Sequence, residues 1–363
     1  MRVKLEDVCE RGSSNIKQSD IIKMSGNYPI YGASGLAGKV NFYHQEQPYV
    51  AVVKDGAGIG RTTLNPAKSS VIGTMQYLIP KKNVLPEYLF YVVSYMHLEK
   101  YYTGATIPHI YFKDYKNEEF NLDNIEKQLE IIDVLGRCKK VIEARKQELV
   151  ELDSLTKARF VEMFGDPRSN PFGFEKKMLK DTCKVITGNT PSRAIEEYYG
   201  DYIEWIKTDN IVSGILNPTQ ATESLSEKGM NVGRTVEKDS ILMACIAGSI
   251  ASIGRVCITD RTVAFNQQIN AVVPEQYNIL FLYVLFQMSK DYLVEDINMA
   301  LKGILSKSKL EEKEFIIPPM DLQEQFSDFV KQVDKSKFDT MTFAPIYAII
   351  NLYLHTYFYQ GRR

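Results

Sequence analysis

The stretch VKLEDVC at residues 3–9 decides the fold, because it returns as KMLKDTC at residues 177–183. Three more features recur in the same order, and the offset between the copies drifts from 174 residues at the first stretch to 195 residues at the last feature. They are IGR at 59–61 and 253–255, EF at 119–120 and 314–315, and a glutamine at 128 and 323. The drift indicates two diverged copies of one module that differ by insertions. A tandem pair of similar modules predicts that two similar things are bound at once, or that one thing is bound at two places.

Length, charge and cysteine content bound the class of protein. At 363 residues the chain is long enough for two domains, each with its own core. The formal net charge of −1 gives no global attraction to nucleic acid, so any DNA binding must come from local patches. The five cysteines contain no C-x-x-C pair, and no signal peptide opens the sequence. The long apolar run at residues 343–359 is too interrupted for a membrane span. These features predict a cytoplasmic protein.

Each copy is predicted to be a mixed module of strands and glycine-rich turns followed by a short apolar helix. Apolar runs bounded by Gly and Pro predict the strands, and a run that has Pro in its first turn predicts the first helix. The strands are predicted at residues 49–53, 75–79, 240–246 and 269–273, and the helices at 86–100 and 278–293.

A long charged helix is predicted for residues 123–164, with Asp123 and Glu126 as a capping box at its start. About 40 residues at about 1.5 Å each give a rod of roughly 60 Å. Two rows with seven-residue spacing predict a seam against one partner helix. The rows are Leu135, Ile142 and Leu149, and Cys138, Arg145 and Leu152. All of these except Cys138 are assigned to the partner-binding side of the helix.

The second copy begins a similar helix near residue 318 but departs from the pattern near Lys337. Residues 340–363 are aromatic-rich and nearly free of charge. Apolar residues in this tail still fit one helix face, which predicts that the tail docks on the first rod.

The order of these features, rather than any one of them, carries a family resemblance. YPIYGASG at residues 28–35 is followed one strand later by KDGAGIGR at 54–61. A Gln-bearing strand, the apolar helix and the Gln of the long helix come next, and the whole order recurs in the second half. Over residues 1–337 the chain therefore resembles the DNA specificity subunit of type I restriction-modification systems.

This resemblance implies an α+β fold. Two tandem mixed α/β target-recognition domains would each be followed by a long helix, and the two helices would pack as an antiparallel coiled coil. The expected parts are target-recognition domain 1 at 1–122, the central long helix at 123–164, a linker at 165–173, target-recognition domain 2 at 174–317, and a distal helix with an atypical C-terminal tail at 318–363.

The resemblance also implies a function and partners. Each domain would read one half of a split site in double-stranded DNA, and the helices would set the spacing between the halves. Two modification subunits would grip the helices and methylate adenine, and restriction subunits would join for cleavage. S-adenosylmethionine, ATP and Mg are implied only for those partner subunits. This chain is expected to carry no cofactor, no chemistry and no membrane contact.

The residues agree with a non-catalytic chain. No Asn-Pro-Pro-Tyr-like box is present to hold a flipped adenine, and there is no P-loop. GAGIG at 56–60 is followed by Arg61 and TTL, where a dinucleotide fold needs a helix, so it predicts a tight turn that presents Arg. The four histidines are scattered, which argues against a metal site.

DNA recognition needs cations for phosphates and amides or forked cations for base edges. Such side chains flank the glycine-rich turns, the strands that follow them, and a polar loop after Trp205. The predicted DNA-binding residues are Lys54, Arg61, Gln76, Lys207, Asn210, Arg255, Asn266, Gln267 and Gln268. Trp205 itself is predicted to be core rather than a platform for a base.

Two other functions stay open at this stage. The chain could be a stand-alone or assembly-defective DNA-binding module, whose altered C-terminus weakens binding to modification subunits. Co-purification with those subunits discriminates this alternative. The chain could also be an enzyme, which methylation or cleavage by the purified chain alone would reveal.

Overall fold

The structure is a computed structural model that describes residues 1–104, 108–297, 303–341, 354 and 356–360. The chain divides into two compact units. Unit 1 consists of Met1–Arg145 and Thr342–Arg363, and unit 2 of Lys146–Met341. Each unit holds one copy of the repeat and one part of the long helix.

Unit 1 alternates short strands and short helices before the long helix begins. Its strands are β1 (Arg2–Lys4), β2 (Cys9–Ser13), β3 (Tyr28–Gly32), β4 (Gly35–Val40), β5 (Tyr49–Val53), β6 (Thr62–Asn65), β7 (Ser70–Val71), β8 (Met75–Pro80) and β9 (Glu119–Asn121). Its helices are α1 (Leu5–Val8), α2 (Gln18–Ile21), α3 (Pro86–Ser94), α4 (Phe112–Tyr115) and α5 (Ile125–Phe164), whose second half belongs to unit 2. A 3-10 turn (Leu98–Tyr101) and a π-helix (Thr356–Gln360) complete it.

A four-stranded antiparallel sheet with the order β2-β8-β5-β6 forms the centre of unit 1. Strand β5 is buried along its whole length, as its unbroken apolar run predicts. Helix α3 covers one face of this sheet, where Leu89 and Val92 lie in one core with Val50 and Val52. The smaller sheets are β4-β3-β7, which contains a parallel pair, and β1-β9.

Unit 2 repeats this plan with more elements. Its strands are β10 (Glu175–Met178), β11 (Cys183–Thr187), β12 (Tyr199–Gly200), β13 (Ile203–Ile206), β14 (Ser224–Leu225), β15 (Thr235–Val236), β16 (Ile241–Ala244), β17 (Ile246–Ala247), β18 (Val256–Ile258), β19 (Val263–Phe265), β20 (Ile269–Pro274), β21 (Gly303–Ile304) and β22 (Glu314–Ile317). Its helices are α6 (Glu227–Val232), α7 (Ile279–Met288), α8 (Lys290–Val294), α9 (Lys307–Glu311) and α10 (Met320–Met341). Its 3-10 turns are Leu179–Asp181, Glu196–Tyr198, Thr208–Asn210 and Ile250–Ser252.

The central sheet of unit 2 has the order β11-β20-β16-β18, which matches the central sheet of unit 1 strand for strand. Even the register agrees, because Cys9 lies opposite Pro80 and Cys183 lies opposite Pro274. The strands β10 and β22 pair as β1 and β9 do. The predicted repeat is therefore confirmed as a repeat of topology and register. A five-stranded sheet, β12-β14-β13-β19-β15, is larger than its counterpart in unit 1 and accounts for the inserted residues.

Helix α5 is confirmed, but its predicted capping box is wrong in the cap residue. Asn124 caps the helix, since its Oδ1 accepts a hydrogen bond from Lys127 N at 3.0 Å. Asp123 instead accepts hydrogen bonds from the Tyr88 and Tyr357 hydroxyls at 3.0 and 3.1 Å. The other end agrees with the prediction, because Gly165 follows the last helical residue with a φ of 72°.

The predicted seam of α5 is its less exposed side. Leu135 is buried, and the seam positions from Cys138 to Leu152 are half-buried. The outside of the helix also carries apolar side chains, and these are about half exposed. They are Leu129, Val134, Val141, Val150, Leu155 and Val161, at 46 to 58% exposure.

Within unit 2, α10 runs antiparallel to the second half of α5. Lys337, near the C-terminal end of α10, forms a salt bridge with Asp153, and Phe326, near its start, packs on Phe160 with ring centroids 5.5 Å apart. The antiparallel helix pair of the predicted fold is present here. Most of the predicted distal helix beyond Met341, at 342–353, 355 and 361–363, lies outside the described residues.

In each unit, a buried aromatic contact, called the aromatic closure below, forms at the start of the helix that follows the central sheet. Phe281, the third residue of α7, packs against both Phe160 and Phe164 of α5 at centroid distances of 5.7 and 4.9 Å. Tyr88, the third residue of α3, packs edge-on against Phe358 of the C-terminal tail at 5.5 Å. All five rings are fully buried. The described part of the tail therefore covers the start of α3 in unit 1, as the end of α5 covers the start of α7 in unit 2.

The repeated glutamine ties each module to the start of its long helix. Gln128 Oε1 accepts a hydrogen bond from Leu85 N at 2.8 Å, and its amide nitrogen donates to the carbonyl of Asp123 at 2.9 Å. Gln323 Oε1 accepts from Asn278 N at 2.9 Å and its nitrogen donates to the carbonyl of Pro318 at 2.8 Å. Buried amides that satisfy backbone groups explain why this residue recurs.

In the described part of the chain, no helix combines the length and the apolar character that crossing a membrane requires.

Candidate nucleic-acid interface

The glycine-rich turn of each module ends in an arginine and is built by the same backbone hydrogen bonds. In unit 1, Val53 N donates to the carbonyl of Arg61 and Gly60 N donates to the carbonyl of Val53, both at 2.9 Å. In unit 2, Ala244 N donates to Arg255 O at 2.9 Å and Gly254 N donates to Ala244 O at 2.8 Å. The two turns therefore fix Arg61 and Arg255 at equivalent backbone positions.

The glycine before each arginine is required by the turn. Gly60 has a φ of 80° and Gly254 a φ of 76°, a left-handed conformation that residues with a Cβ rarely adopt. A Cβ on Gly60 would also lie 2.8 Å from the backbone nitrogen of Glu99. Strands β6 and β18 follow the turns, and neither turn opens a helix as a dinucleotide-binding loop would. The predicted arginine-presenting turn is confirmed at residues 56–61, and a turn with equivalent backbone hydrogen bonds precedes Arg255.

The side chains of the two arginines differ in exposure and in hydrogen-bond partners. Arg61 is exposed, and its Nη1 donates to the carbonyl of Ala33 at 3.0 Å. Arg255 is half-buried, and it donates to the carbonyls of Ser252 and Thr208 at 3.3 and 3.4 Å. The contact with Thr208 brings the turn of the second module next to the polar loop that contains Lys207.

A β-bridge lies beside each turn and carries different side chains in the two modules. Asp55 is bridged to His109 in unit 1, and Ile246 is bridged to Ile304 in unit 2. The backbone hydrogen bonds are again equivalent, because Ile110 N donates to Lys54 O at 2.9 Å and Leu305 N donates to Cys245 O at 2.8 Å. Lys54 follows β5 directly, and its Nζ lies 3.5 Å from Asp55 Oδ2.

The predicted amide residues occupy two kinds of place. Gln76 lies in the interior of β8, is buried, and donates to the carbonyl of Gly12. Its register places it at the position of Asn270 in the second module, which is also buried. The strand register therefore matches Gln76 with Asn270 and not with the predicted amides at 266–268.

The run at 266–268 forms the turn between β19 and β20. Asn266 is buried and its Oδ1 accepts from Gln268 N at 3.1 Å, which shapes the turn. Gln268 is half-buried, and its backbone carbonyl accepts from Cys245 N at 2.8 Å. Gln267 is exposed and contacts Thr190. Gln267 is therefore the residue of this run whose side chain faces outward.

Lys207 belongs to a charged cluster around the buried Trp205. Its Nζ lies 2.6 Å from Glu223 Oε1 and 5.1 Å from the centre of the indole ring. Arg193 donates to the other oxygen of Glu223 at 2.6 Å and stacks on Tyr199 with its guanidinium carbon 4.3 Å from the ring centre. The hydrogen bonds from Lys207 and then Arg193 hold the pKa of Glu223 below its ordinary value. One carboxylate thus restrains two cations.

Asn210 is buried in the same loop and acts on its backbone. Its Oδ1 accepts from Lys207 N at 3.0 Å, and its amide nitrogen donates to Gln220 O at 3.0 Å. Trp205 is 3% exposed, which agrees with the prediction that it is core.

The sequence profile of the type I restriction modification DNA specificity domain matches residues 1–153 and again residues 171–346. The chain belongs to this family. Each match covers one arginine-bearing turn. The two modules described above are therefore the two specificity domains of this chain.

Two curated members of the specificity-domain family show how much of their length the chain shares. It is 35% identical over 117 residues to the HindI type I restriction enzyme specificity subunit of Haemophilus influenzae, covering 31% of this chain and 24% of that protein. It is 25% identical over 281 residues to the MjaIX specificity subunit of Methanocaldococcus jannaschii, covering 70% of this chain and 63% of that protein. The chain thus spans less than two thirds of the length of either relative.

A solved structure supports the same fold for the specificity-domain chain. The type I restriction-modification S subunit from M. genitalium matches with a TM-score of 0.64 at 14% sequence identity. The match covers 98% of this chain and 95% of that one. The fold class expected from the sequence, with tandem mixed domains and long helices, is therefore shown.

Sequence reasoning missed three side chains at these sites, namely His109, Arg193 and Glu223. His109 reaches Asp55 across 54 positions, and Arg193 reaches Glu223 across 30. No periodicity or motif marks such distant pairs. Among the described residues, no three His, Cys, Asp or Glu side chains are grouped to hold a metal ion.

Proposed function

We propose that this chain is the non-catalytic, sequence-specific DNA-binding subunit of a type I restriction-modification system. It directs methylation and restriction to a bipartite site in double-stranded DNA, and each specificity domain reads one half. The observation that carries the proposal is the repeated arginine-bearing turn, which has the same backbone hydrogen bonds in both domains and different side chains beside it. A backbone that is the same in both domains, with side chains that differ between them, suits two related but different half-sites.

The predicted DNA-binding residues enter this proposal in two roles. Exposed or half-exposed cations and amides would meet the DNA, and buried amides would hold the loops in place. The contacting group consists of Lys54, Arg61, Lys207, Arg255, Gln267 and Gln268. The positioning group consists of Gln76, Asn210 and Asn266, which are buried and hydrogen-bonded.

The long helices are proposed to set the spacing of the half-sites and to dock two modification subunits. The seam residues of α5, which are buried or half-buried, would hold the helix pair together; they are Leu135, Ile142, Arg145, Leu149 and Leu152. The half-exposed apolar side chains on the outside of α5, such as Val141 and Val150, would then be available to the modification subunits. S-adenosylmethionine, ATP and Mg belong to the partner subunits in this proposal.

Co-expression with a cognate modification subunit in a methylation-free host, followed by genome-wide mapping of methyladenine, tests the proposal. The expected result is a split motif with a fixed spacer and a complex that survives purification. Methylation or cleavage by the purified chain alone would contradict a non-catalytic role.

The runner-up function is a stand-alone or assembly-defective DNA-binding module, and it rests on the aromatic C-terminal tail. Leu354 and Phe358 lie in the core of unit 1, and Tyr359 donates a hydrogen bond to the carbonyl of Val92. These contacts support a tail that completes the unit instead of disabling it. A stable chain that binds DNA but does not co-purify with the modification subunit would favour the runner-up.

A further inference from the structure

We propose that His109, held by Asp55, is a DNA-contacting and specificity-determining residue of the first domain, and that it meets the DNA as a protonated imidazole. The proposal rests on the function proposed above. Its ligand is a hydrogen-bond acceptor of duplex DNA, either the N7 or O6 edge of a purine or a phosphate oxygen.

The position of His109 is fixed by the backbone. Gly56 N donates to Pro108 O and Ile110 N donates to Lys54 O, both at 2.9 Å. These bonds clamp the segment that carries His109 onto the start of the arginine-bearing turn. The imidazole therefore belongs to the same surface as Lys54, although it is far away in sequence.

Asp55 orients the ring so that one nitrogen is left for a ligand. His109 Nδ1 lies 2.7 Å from Asp55 Oδ1, and within the described residues no hydrogen bond reaches Nε2. The imidazole side chain is 36% exposed. In the doubly protonated ring Nδ1 donates to this carboxylate and Nε2 is left as a second donor. The arrangement presents a charged N–H group to a negatively charged ligand.

The groups around the imidazole are cationic and aromatic. Lys54 lies on the far side of Asp55, and the ring of Tyr111 is stacked on the imidazole at 19° with centroids 6.3 Å apart. Lys113 Nζ lies 5.4 Å from the centre of the Tyr111 ring. The opposite segment contributes the uncharged hydroxyl of Thr103, which donates to the His109 carbonyl at 3.1 Å. With His109 charged, two cations, His109 and Lys54, share one carboxylate, and Lys113 adds a third cation beside Tyr111. This balance favours a phosphate-bearing ligand.

The second domain indicates that the fold does not require this ion pair. The equivalent bridge carries Ile246 and Ile304, and Ile304 is 50% exposed. Equivalent backbone hydrogen bonds, 2.9 Å long in unit 1 and 2.8 Å in unit 2, support both bridges. Because the scaffold tolerates either pair, the charged pair at Asp55 and His109 is free to serve recognition.

The test uses the full chain in complex with its modification subunits and measures duplex affinity between about pH 6 and about pH 8 at constant ionic strength. We expect the affinity of the wild-type complex to fall by about tenfold as histidine loses its charge, because a charge-assisted hydrogen bond is lost. His109→Gln removes this pH dependence. The matched control is His97→Asn, which deletes another exposed His–carboxylate pair, with Glu99, at a left-handed position that Asn accepts. The control keeps the pH dependence.

Methylome mapping of His109→Gln then separates the two ligand sources. A change at one position of one half-site, with the other half intact, identifies a base contact. An unchanged motif with weaker binding and a salt dependence shallower by about one phosphate contact identifies a phosphate contact. A folded His109→Gln complex with wild-type affinity, pH profile and motif overturns the proposal alone. A wild-type complex that binds no duplex DNA overturns the proposed function as well.

Discussion

The bridge beside the arginine-bearing turn joins Asp55 to His109 in the first domain and Ile246 to Ile304 in the second, yet equivalent backbone hydrogen bonds support both. The same contrast holds for the turns, because Arg61 is exposed and Arg255 is half-buried on matching backbones. The comparison teaches that main-chain hydrogen bonds and a few buried side chains specify the domain. Exposed side chains can then diverge without cost to the fold, which is what two half-sites require.

The largest expected effect concerns the aromatic closures, which the comparison treats as equivalent. Phe160→Ala in unit 2 and Phe358→Ala in unit 1 should each lower the free energy of unfolding of their own unit by about 3–5 kcal/mol, because both rings are fully buried. Trp205, the single tryptophan, reports denaturation of unit 2 by fluorescence, and amide exchange reports on unit 1.

The exposed neighbours Lys157 and Thr356 provide the controls for this pair, and their Ala variants should change stability little. A loss below about 1 kcal/mol for Phe358→Ala would break the equivalence of the two closures. The C-terminal tail would then not complete unit 1.

The second expected effect concerns the repeated glutamine. Gln128→Ala and Gln323→Ala should each destabilise the chain by about 1–3 kcal/mol, because each removes the partner of a backbone N–H group and of backbone carbonyls, two for Gln128 and one for Gln323. Urea denaturation of both variants measures the loss. Gln147→Ala is the control, since Gln147 is exposed on α5 and, among the described residues, its side chain bonds to Glu151 alone. Unequal losses at 128 and 323 would show that the two domains are anchored differently.

A third effect is specific to the second domain. Glu223→Gln should release Lys207 and Arg193 for phosphates, tightening duplex binding by about 1 kcal/mol and steepening its salt dependence. Glu227→Gln makes the same charge change at an exposed helix start and should have a smaller effect. Binding isotherms at several salt concentrations distinguish the variants. Equal affinities would mean that Lys207 and Arg193 do not reach DNA.

The smallest expected effect is that the buried cysteines, including the matched pair Cys9 and Cys183, resist alkylation. Burial raises the pKa of the Cys9 and Cys183 thiols to about 12. It also raises the pKa of the Cys245 and Cys257 thiols to about 12. At pH 8 these thiols should stay unalkylated in the folded chain, while the half-buried Cys138 reacts. Mass spectrometry after iodoacetamide treatment measures the labelling. Rapid labelling of Cys9 but not Cys183 would show that the first domain opens more readily.

The sequence predicted those parts of the fold that depend on local pattern. Strand β5 is an unbroken apolar run, and α5 has a heptad row with Gly165 at its end, so both were predicted with nearly correct bounds. The repeat itself located both arginine turns. These features succeed because their signals lie within a few residues of each other.

The missed features depend on contacts between distant residues or on burial. Gln76 reads as a surface amide, but its partner is the carbonyl of Gly12 across 64 positions. Asn124 rather than Asp123 caps the helix, because the Asp123 carboxylate accepts hydrogen bonds from Tyr88 and Tyr357. No local pattern encodes such competition. The predicted domain limits and DNA-contacting residues remain predictions.

Methylome mapping of two paired variants, Arg61→Ala and Arg255→Ala, tests the central claim most directly. The claim is that each domain reads its own half of one split site. The predicted result is that each variant relaxes or weakens recognition in a different half-site, while the spacer and the other half stay as in the wild type. Variants that alter the same half, or that leave both halves unchanged in a folded complex, would contradict it.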